Sequence, residues 1–395
     1  PPEKDHGPKQ AFQKLYWVRI LSNNHSFSHS AKYIVKSQLV KISDLGILHT
    51  LRIKPRFLKE DLISFNYQTV VEELTALQIS NASLLDEASA GAEALYMAYN
   101  LHEGERVKFF VDEKVFVTTQ ACLNKARNLG IEIVKGKYED FLQKHNPSEF
   151  FGVLVQSPDV NGILHDFTEL FKKLSETKTI KVVASDLLAL TITKPPGEMG
   201  ADICFGSAQR FGIPMGYGGP YAGFFATKNI SMTKNKTLEK CQAESLVSQA
   251  TDMITCFENG SSNKITTYQK DKATSNICTA QVLLANMSAM YAVYHGPKGL
   301  RQISYRVHTL AQLSAKVWEG YGFEVLKQNG KFNFFDTFTI NNCQAEKLIQ
   351  VFADHQINVE ETAPALFHCQ FPKLALWKTL RKSTLFYTSL LENKN

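Results

Sequence analysis

"EFFGVLVQSPDVNGILHDFTELFKKLSETKTIKVVASD" (residues 149–186) reads as a strand, a helix and a second strand in succession. Its opening, 149–159, is a continuous apolar run closed by Ser157, Pro158 and Asp159, the pattern of a strand buried on both faces. Residues 162–178 then place Leu164, Phe167, Leu170, Phe171 and Leu174 on one side of a predicted helix. "IKVVASD" (180–186) returns to a short apolar run ended by an acid. Strand, crossover helix and strand form the unit from which parallel sheets are built.

The same alternation extends in both directions. "VKFFV" (107–111), "IEIVKG" (131–136) and "ADICFG" (201–206) read as strands, and 118–130 as a helix ending at Gly130. Upstream, "NYQTVVEELTALQI" (66–79) sets Val70, Val71, Leu74 and Leu77 at helical spacing. "NASLLDEASAGAEALYMAYN" (81–100) is rich in helix formers in its second half. Residues 229–270 lose the apolar rhythm and read as a polar insert. From Asp271 two long helices are predicted, meeting near "HGPKG" (295–299). Strands at 323–326, 335–340 and 357–361 with a helix at 343–356 suggest a small α/β unit. The expected organisation is an irregular segment 1–62, a large α/β domain 63–305 with a mostly parallel central sheet, and a smaller C-terminal α/β domain 306–395.

Composition narrows the function classes. Hydrophobic residues make up 44% and charged residues 21% of the 395, as in soluble globular proteins. The net charge of +6 is scattered, without the basic block that nucleic-acid binding calls for. No run reaches the ~18 apolar residues of a membrane span, and residues 1–30 show no signal-peptide core. The seven cysteines form no CxxC pair, so reduced thiols in a reducing compartment are expected.

Three places can carry chemistry. Ser89, Ala90 and Gly91 open a helix with small residues, so its free N–H groups and positive dipole end could cradle a phosphate. They serve equally as an ordinary capped start, with Ser83, Asp86 or Ser89 as the cap. Asp186 closes a parallel strand, where open α/β sheets bind ligands and an acid can hold a protonated ring nitrogen cationic. It is also a plain acid at a loop start. "GADICFGSAQRFGIPMGYGGPYAGFFATK" (200–228) joins two apolar strands through a glycine-rich loop that either binds a ligand closely or only turns the chain. Histidines offer less: His165 is expected on the solvent side of the helix 162–178, and His295 and His308 lie in the helical pair. Serine-hydrolase and P-loop patterns are absent.

Read together, "NASLLDEASAGAEA", "DLLALTITKPPGEMGADICFGSAQRFGIPMGYGGPYAGFFA" and "DKATSNICTAQVLLANMSAMYAVYHGPKGL" resemble the P-protein family of the glycine cleavage system, glycine dehydrogenase (decarboxylating). The resemblance covers roughly 63–228 and 271–340, and it is to the amino-terminal half of the family's long chain. It implies a pyridoxal-phosphate enzyme of aspartate-aminotransferase fold type I. The implied reaction decarboxylates glycine and passes the aminomethyl group to the lipoyl arm of H-protein, in the mitochondrial matrix or the bacterial cytoplasm. The implied assembly is a dimer with the half that bears the cofactor lysine. Laid over that half, the lysine position falls on Gln209 or Arg210, and neither side chain forms a Schiff base. Ser89, Ala90, Gly91 and Asp186 match the phosphate-side helix start and the strand-end acid, and with Gln209 and Arg210 are the candidate positions facing a shared cofactor site. Phe116 stands where the family has a histidine, and the "KPRFLKED" and "SSNKITTYQK" segments depart from the family pattern. A non-catalytic scaffold that pairs with a catalytic half is therefore the alternative.

Overall fold

The computed structural model describes residues 57–81, 86–102, 105–214, 218–228, 279–341, 361–363 and 366–370. The chain divides into two compact units. The larger takes the described residues up to Val160 together with those of Leu164–Arg301; the smaller takes Asn161–Ile163 and those from Gln302 onward.

The larger unit is built on a seven-stranded sheet. Its strands are β1 (Ile79–Ser80), β2 (Lys108–Asp112), β3 (Glu132–Gly136), β4 (Phe150–Ser157), β5 (Ile180–Asp186), β6 (Ile203–Ser207) and β7 (Gly223–Thr227). Their order is β1-β7-β6-β5-β4-β2-β3. The five from β3 to β6 run parallel, and β7 returns antiparallel beside β6, with β1 antiparallel to β7. The helices are α1 (Phe57–Thr75), α2 (Glu87–Leu101), α3 (Val117–Asn124), α4 (Tyr138–Lys144), α5 (Thr168–Leu174), the short α6 (Pro196–Met199) and the start of α7 (Thr279–Gly320).

Both sheet faces are covered, which explains the unbroken apolar runs. On one face Phe109, Phe151, Leu154, Val182, Ile203, Phe205 and Phe225 pack with Ala90, Ala94, Leu95 and Ala98 of α2. On the other, Phe110, Val153, Val155 and Val183 meet Phe141 of α4 and Leu170, Phe171 and Leu174 of α5. Polar groups tie the strand starts together. Asp202 accepts from the Lys181 backbone N–H at 2.9 Å and pairs with the Lys181 and Lys228 ammonium groups, each at 3.1 Å.

Several sequence expectations need correction. The helix expected over 162–178 is only α5 and a 3-10 turn, Ser175–Thr177. Gly162 has φ +83, and the Thr337 carbonyl oxygen lies 2.0 Å from where its Cβ would be, so helix cannot begin there. Ile163 instead bridges Phe334, and Asp166 starts the helix by accepting from the Thr168 N–H at 2.9 Å. His165 therefore does not face solvent. It is buried, with Nε2 2.8 Å from Asp159 Oδ2 and Nδ1 3.1 Å from the Tyr138 hydroxyl. α1 begins at Phe57, inside the segment 1–62 expected to be irregular. The helix over 118–130 splits into α3 and a 3-10 turn, Lys125–Leu129, ended by Gly130 in the left-handed region. The expected helix 343–356 and polar insert 229–270 lie outside the described residues.

The two long helices merge into α7, broken at Gly296, whose non-helical backbone precedes Pro297. In the smaller unit, β8 (Glu324–Val325), β9 (Thr337–Asn341), β10 (Glu361–Ala363) and β11 (Leu366–Gln370) make an antiparallel sheet ordered β10-β11-β9-β8. Trp318 and Phe323 stack edge to face beside it, with ring centres 4.8 Å apart.

The parallel core is tightest where β5 passes β6: a Cβ on Gly206 would lie 1.9 Å from the Ser185 carbonyl oxygen. Gly206→Ala should destabilise the chain by about 2 kcal/mol or more through overpacking. Gly130→Ala, which meets no atom within 4 Å and only strains a left-handed turn, should cost about 1 kcal/mol. Urea unfolding of both variants checks the ranking; equal losses would remove the overpacking account.

Candidate functional site

β5 and β6 end side by side, and the start of α2 meets them at that edge. Asp186 is the last residue of β5. Its Oδ1 accepts from the backbone N–H groups of Leu188 (2.7 Å) and Ala189 (3.0 Å), a turn that closes the strand. Its Oδ2 lies 3.0 Å from an Arg210 guanidinium nitrogen. The acid predicted to face a ligand thus faces a guanidinium of its own chain.

Arg210 is delivered by the turn after β6. Phe211 donates to the Ala208 carbonyl at 3.0 Å, and Ile213 to that of Gln209 at 3.3 Å. Gly212 takes the positive φ of 87° that this turn needs. Ala208 N–H also reaches the Ala222 carbonyl at 2.8 Å, tying the turn to the strand that follows the glycine loop. α7 supports it from outside: Ser288 donates to the Ala208 carbonyl at 3.5 Å, and Tyr291 packs on Phe211 with ring centres 5.7 Å apart. Burial pushes the Tyr291 phenol up, with nearby Arg210 opposing the rise. Gln209 is buried under this turn.

At the start of α2, Asp86 is the N-cap. Its carboxylate accepts from the Ser89 N–H at 2.7 Å and the Ser89 hydroxyl at 3.1 Å. Ala90 and Gly91 are buried, and a Cβ on Gly91 would lie 2.8 Å from Thr119 Cγ2 and 3.1 Å from the Phe205 ring. Gly91 therefore lets α2 approach α3 and the sheet. Gly223 does the same at the other side, since a Cβ there would lie 2.5 Å from the Asp86 carbonyl oxygen. Phe116 is half-buried after β2, its N–H donated to Gln156 Oε1 at 3.0 Å.

Sequence reading missed Glu87. It is half-buried, and its carboxyl is pushed up to about 8 by burial, then by the charges of Asp186 and Asp86. Two adjacent acids at a helix start look like dipole complements. Only the fold brings Asp186 to them. Three carboxyls and one guanidinium share this edge, with Glu87 protonated near neutral pH and able to donate a hydrogen bond. Among the described residues no group of three or more histidines, cysteines or acids could hold a metal ion, and no helix is long and apolar enough to cross a membrane.

The raised carboxyl makes stability depend on pH with a definite sign. The folded chain binds a proton at Glu87 that the unfolded chain has lost, so the contribution is complete below about 4.5 and disappears as pH rises through about 8. Denaturant midpoints should fall between pH 5 and 9, and Glu87→Gln should flatten that fall. An unchanged slope in the variant would place the proton elsewhere.

Comparison with known proteins agrees with this architecture. The model of the glycine cleavage system P-protein family matches residues 61–368. Glycine dehydrogenase (decarboxylating) of Psychromonas ingrahamii is 45% identical over 286 residues, 72% of this chain and 28% of the relative. The mitochondrial enzyme of that name from Pisum sativum is 41% identical over 295 residues, 74% of this chain and 27% of the relative. The chain thus spans under a third of the length of these relatives. An inhibitor-bound glycine decarboxylase (P-protein) structure superposes with a TM-score of 0.70 at 23% identity, covering 98% of this chain and 91% of that one. An aspartate aminotransferase of Thermus thermophilus superposes with a TM-score of 0.58 at 14% identity, covering 87% and 94%. The fold is that of the pyridoxal-phosphate-dependent transferases of fold type I. By the family match and the residues that carry it, the chain belongs to the glycine cleavage system P-protein family.

Proposed function

We propose that this chain is the amino-terminal half of a glycine-decarboxylating P-protein and acts by completing the site of a half that bears the cofactor lysine. Glycine is the substrate and the lipoyl group of H-protein the acceptor in this reading. The mitochondrial matrix or the bacterial cytoplasm is the compartment, as the pea and bacterial relatives suggest. Pyridoxal phosphate would supply the electron sink for decarboxylation wherever it is bound.

The residues of this chain do not fit a pyridoxal phosphate held by the chain alone, and the Asp186–Arg210 pair carries that conclusion. The Asp186 carboxylate already accepts from Leu188, Ala189 and Arg210, so a protonated ring nitrogen there would share Oδ2 with a guanidinium of like charge. A phosphate needs the free N–H groups of a helix start. Here Asp86 takes the Ser89 N–H and brings negative charge to that end, with Glu87 protonated beside it. Gln209 and Arg210 supply no Schiff-base amine. Ser89, Ala90, Gly91, Asp186, Gln209 and Arg210 are therefore proposed as a wall of a shared site.

The same ion pair favours a second reading, a scaffold that keeps the fold and the pairing without contributing to chemistry. Adding pyridoxal phosphate to the chain alone and reducing with borohydride should leave no stoichiometric lysine adduct. Adding the chain to a lysine-bearing family half should raise its glycine–bicarbonate exchange. Pairing without any rise would favour the scaffold, and a stoichiometric adduct on the isolated chain would overturn both readings.

A further inference from the structure

Three residues between β4 and α5, Asn161–Ile163, belong to the smaller unit, while the residues on either side belong to the larger. Within the smaller unit this strap is held along its length. The Thr339 hydroxyl donates to the Asn161 carbonyl at 3.1 Å, Gly162 passes close to Thr337, and Ile163 bridges Phe334. Within the larger unit its two feet are joined. His165 Nε2 lies 2.8 Å from Asp159 Oδ2, and neither side chain is more than 2% exposed. A second tie sits at the same place, where the His165 N–H donates to the Ser157 hydroxyl at 3.0 Å.

The feet end a chain of titratable groups that all belong to the larger unit. His165 Nδ1 lies 3.1 Å from the Tyr138 hydroxyl, and the Tyr138 N–H donates to Asp112 Oδ1 at 3.1 Å. Asp112 is 1% exposed, and its Oδ2 makes no hydrogen bond among the described residues. Lys114 from the turn after β2, Glu139 from α4 and His165 from the strap's foot set the charge around it. Lys114 is committed elsewhere, its ammonium 2.9 Å from Glu139. Asp159 lies beyond, on the other nitrogen of His165.

An imidazole bonded through both nitrogens changes charge without losing either partner. Neutral, it donates to Asp159 and accepts from Tyr138; protonated, it donates to both. Asp112 has no such freedom, because as an anion it leaves a buried oxygen unpaired. Burial accordingly pushes its carboxyl up to about 6, against the Tyr138 N–H, Lys114 and His165.

We propose that Asp112, Tyr138, His165 and Asp159 form a proton-operated latch on the strap, closed while Asp112 is protonated and loosened when it ionises. Ionised, Asp112 becomes a second buried carboxylate facing one imidazole that Asp159 already engages. Once that imidazole is neutral two buried anions remain, and opening the feet to water relieves them. The folded chain holds a proton on Asp112 that the unfolded chain has released. The hold is therefore full below about 3.8 and is lost as pH rises through about 6. Ser157, which ties the His165 N–H, also accepts the Ser185 hydroxyl on its carbonyl at 2.9 Å, one residue before Asp186. The latch thus backs the strand ends of the candidate site, and it acts whether or not the chain pairs.

The test is hydrogen exchange of the full chain, read by mass spectrometry from pH 5 to 8 and corrected for the intrinsic rate. Protection of the amides of 160–165, taken relative to those of β4, should fall at least about tenfold across that range. Asp112→Asn, neutral at every pH, should keep the protection level. Glu139→Gln, at an exposed position, frees Lys114 for Asp112 and should move the midpoint of the fall to lower pH. That surface variant decides the matter if circular dichroism shows that Asp112→Asn does not fold. Level protection in the unchanged chain would overturn the latch. So would a fall that survives in Asp112→Asn, or a midpoint that Glu139→Gln leaves in place or raises.

Discussion

The ion pair between Asp186 and Arg210 is the constraint on which the reading of this edge depends. It joins residues 24 apart in sequence, across the ends of two neighbouring parallel strands. Both side chains are about a fifth exposed, so the pair is neither a screened surface contact nor a fully desolvated one. Its worth lies between the ~0–1 kcal/mol of exposed pairs and the ~3–5 kcal/mol lost on breaking buried ones. A ligand cation competing for Asp186 must displace a guanidinium that the chain positions from several sides. The turn holding Arg210 is fixed to β7 through Ala208 and Ala222, and to α7 through Ser288 and Tyr291. Removing the guanidinium would need rearrangement of that turn or a compensating charge from elsewhere.

Much of the fold was legible because parallel strands covered on both faces are unbroken apolar runs. β5 has the bounds read from "IKVVASD", and β4 lies inside the run 149–159. Helix lengths were less legible, for reasons that lie in tertiary contact. Leu164 and Phe167 sit at helical spacing, yet Gly162 and Ile163 belong to the smaller unit, where Gly162 meets Thr337 closely and Ile163 bridges Phe334. Periodicity cannot see that claim on the backbone. His165 was misread for the same cause: once the helix starts later, the residue turns inward to Asp159 and Tyr138.

At the site, positions were legible in the sequence and relations were not. Asp186 at a strand end and Ser89 at a helix start stand out by location. That Arg210 neutralises the first, and that Asp86 already caps the N–H of the second, depends on geometry alone. Glu87 had no sequence signal, because an acid in a first helical turn is ordinary. Asp112 shows that the effect is not confined to this edge. It ends β2, its carboxyl is pushed up to about 6 by burial, and its Oδ2 makes no hydrogen bond among the described residues. The location of an acid at a strand end therefore does not by itself say how readily it ionises or whether it can hold a cation.

These electrostatics bear on how a shared site could work. An edge that holds Asp86, Glu87 and Asp186 against one arginine repels a phosphate but tolerates a cationic group. A partner that contributes an ammonium or guanidinium near Glu87 would lower its carboxyl from about 8 and release a proton. Pairing and protonation of this edge are then linked: a cationic partner group binds more tightly as pH rises through that range. A partner that brings an apolar or anionic group instead keeps Glu87 neutral and prefers lower pH. The sign of the pH dependence of pairing thus reports what chemistry the other half presents to Glu87, independently of whether any reaction occurs.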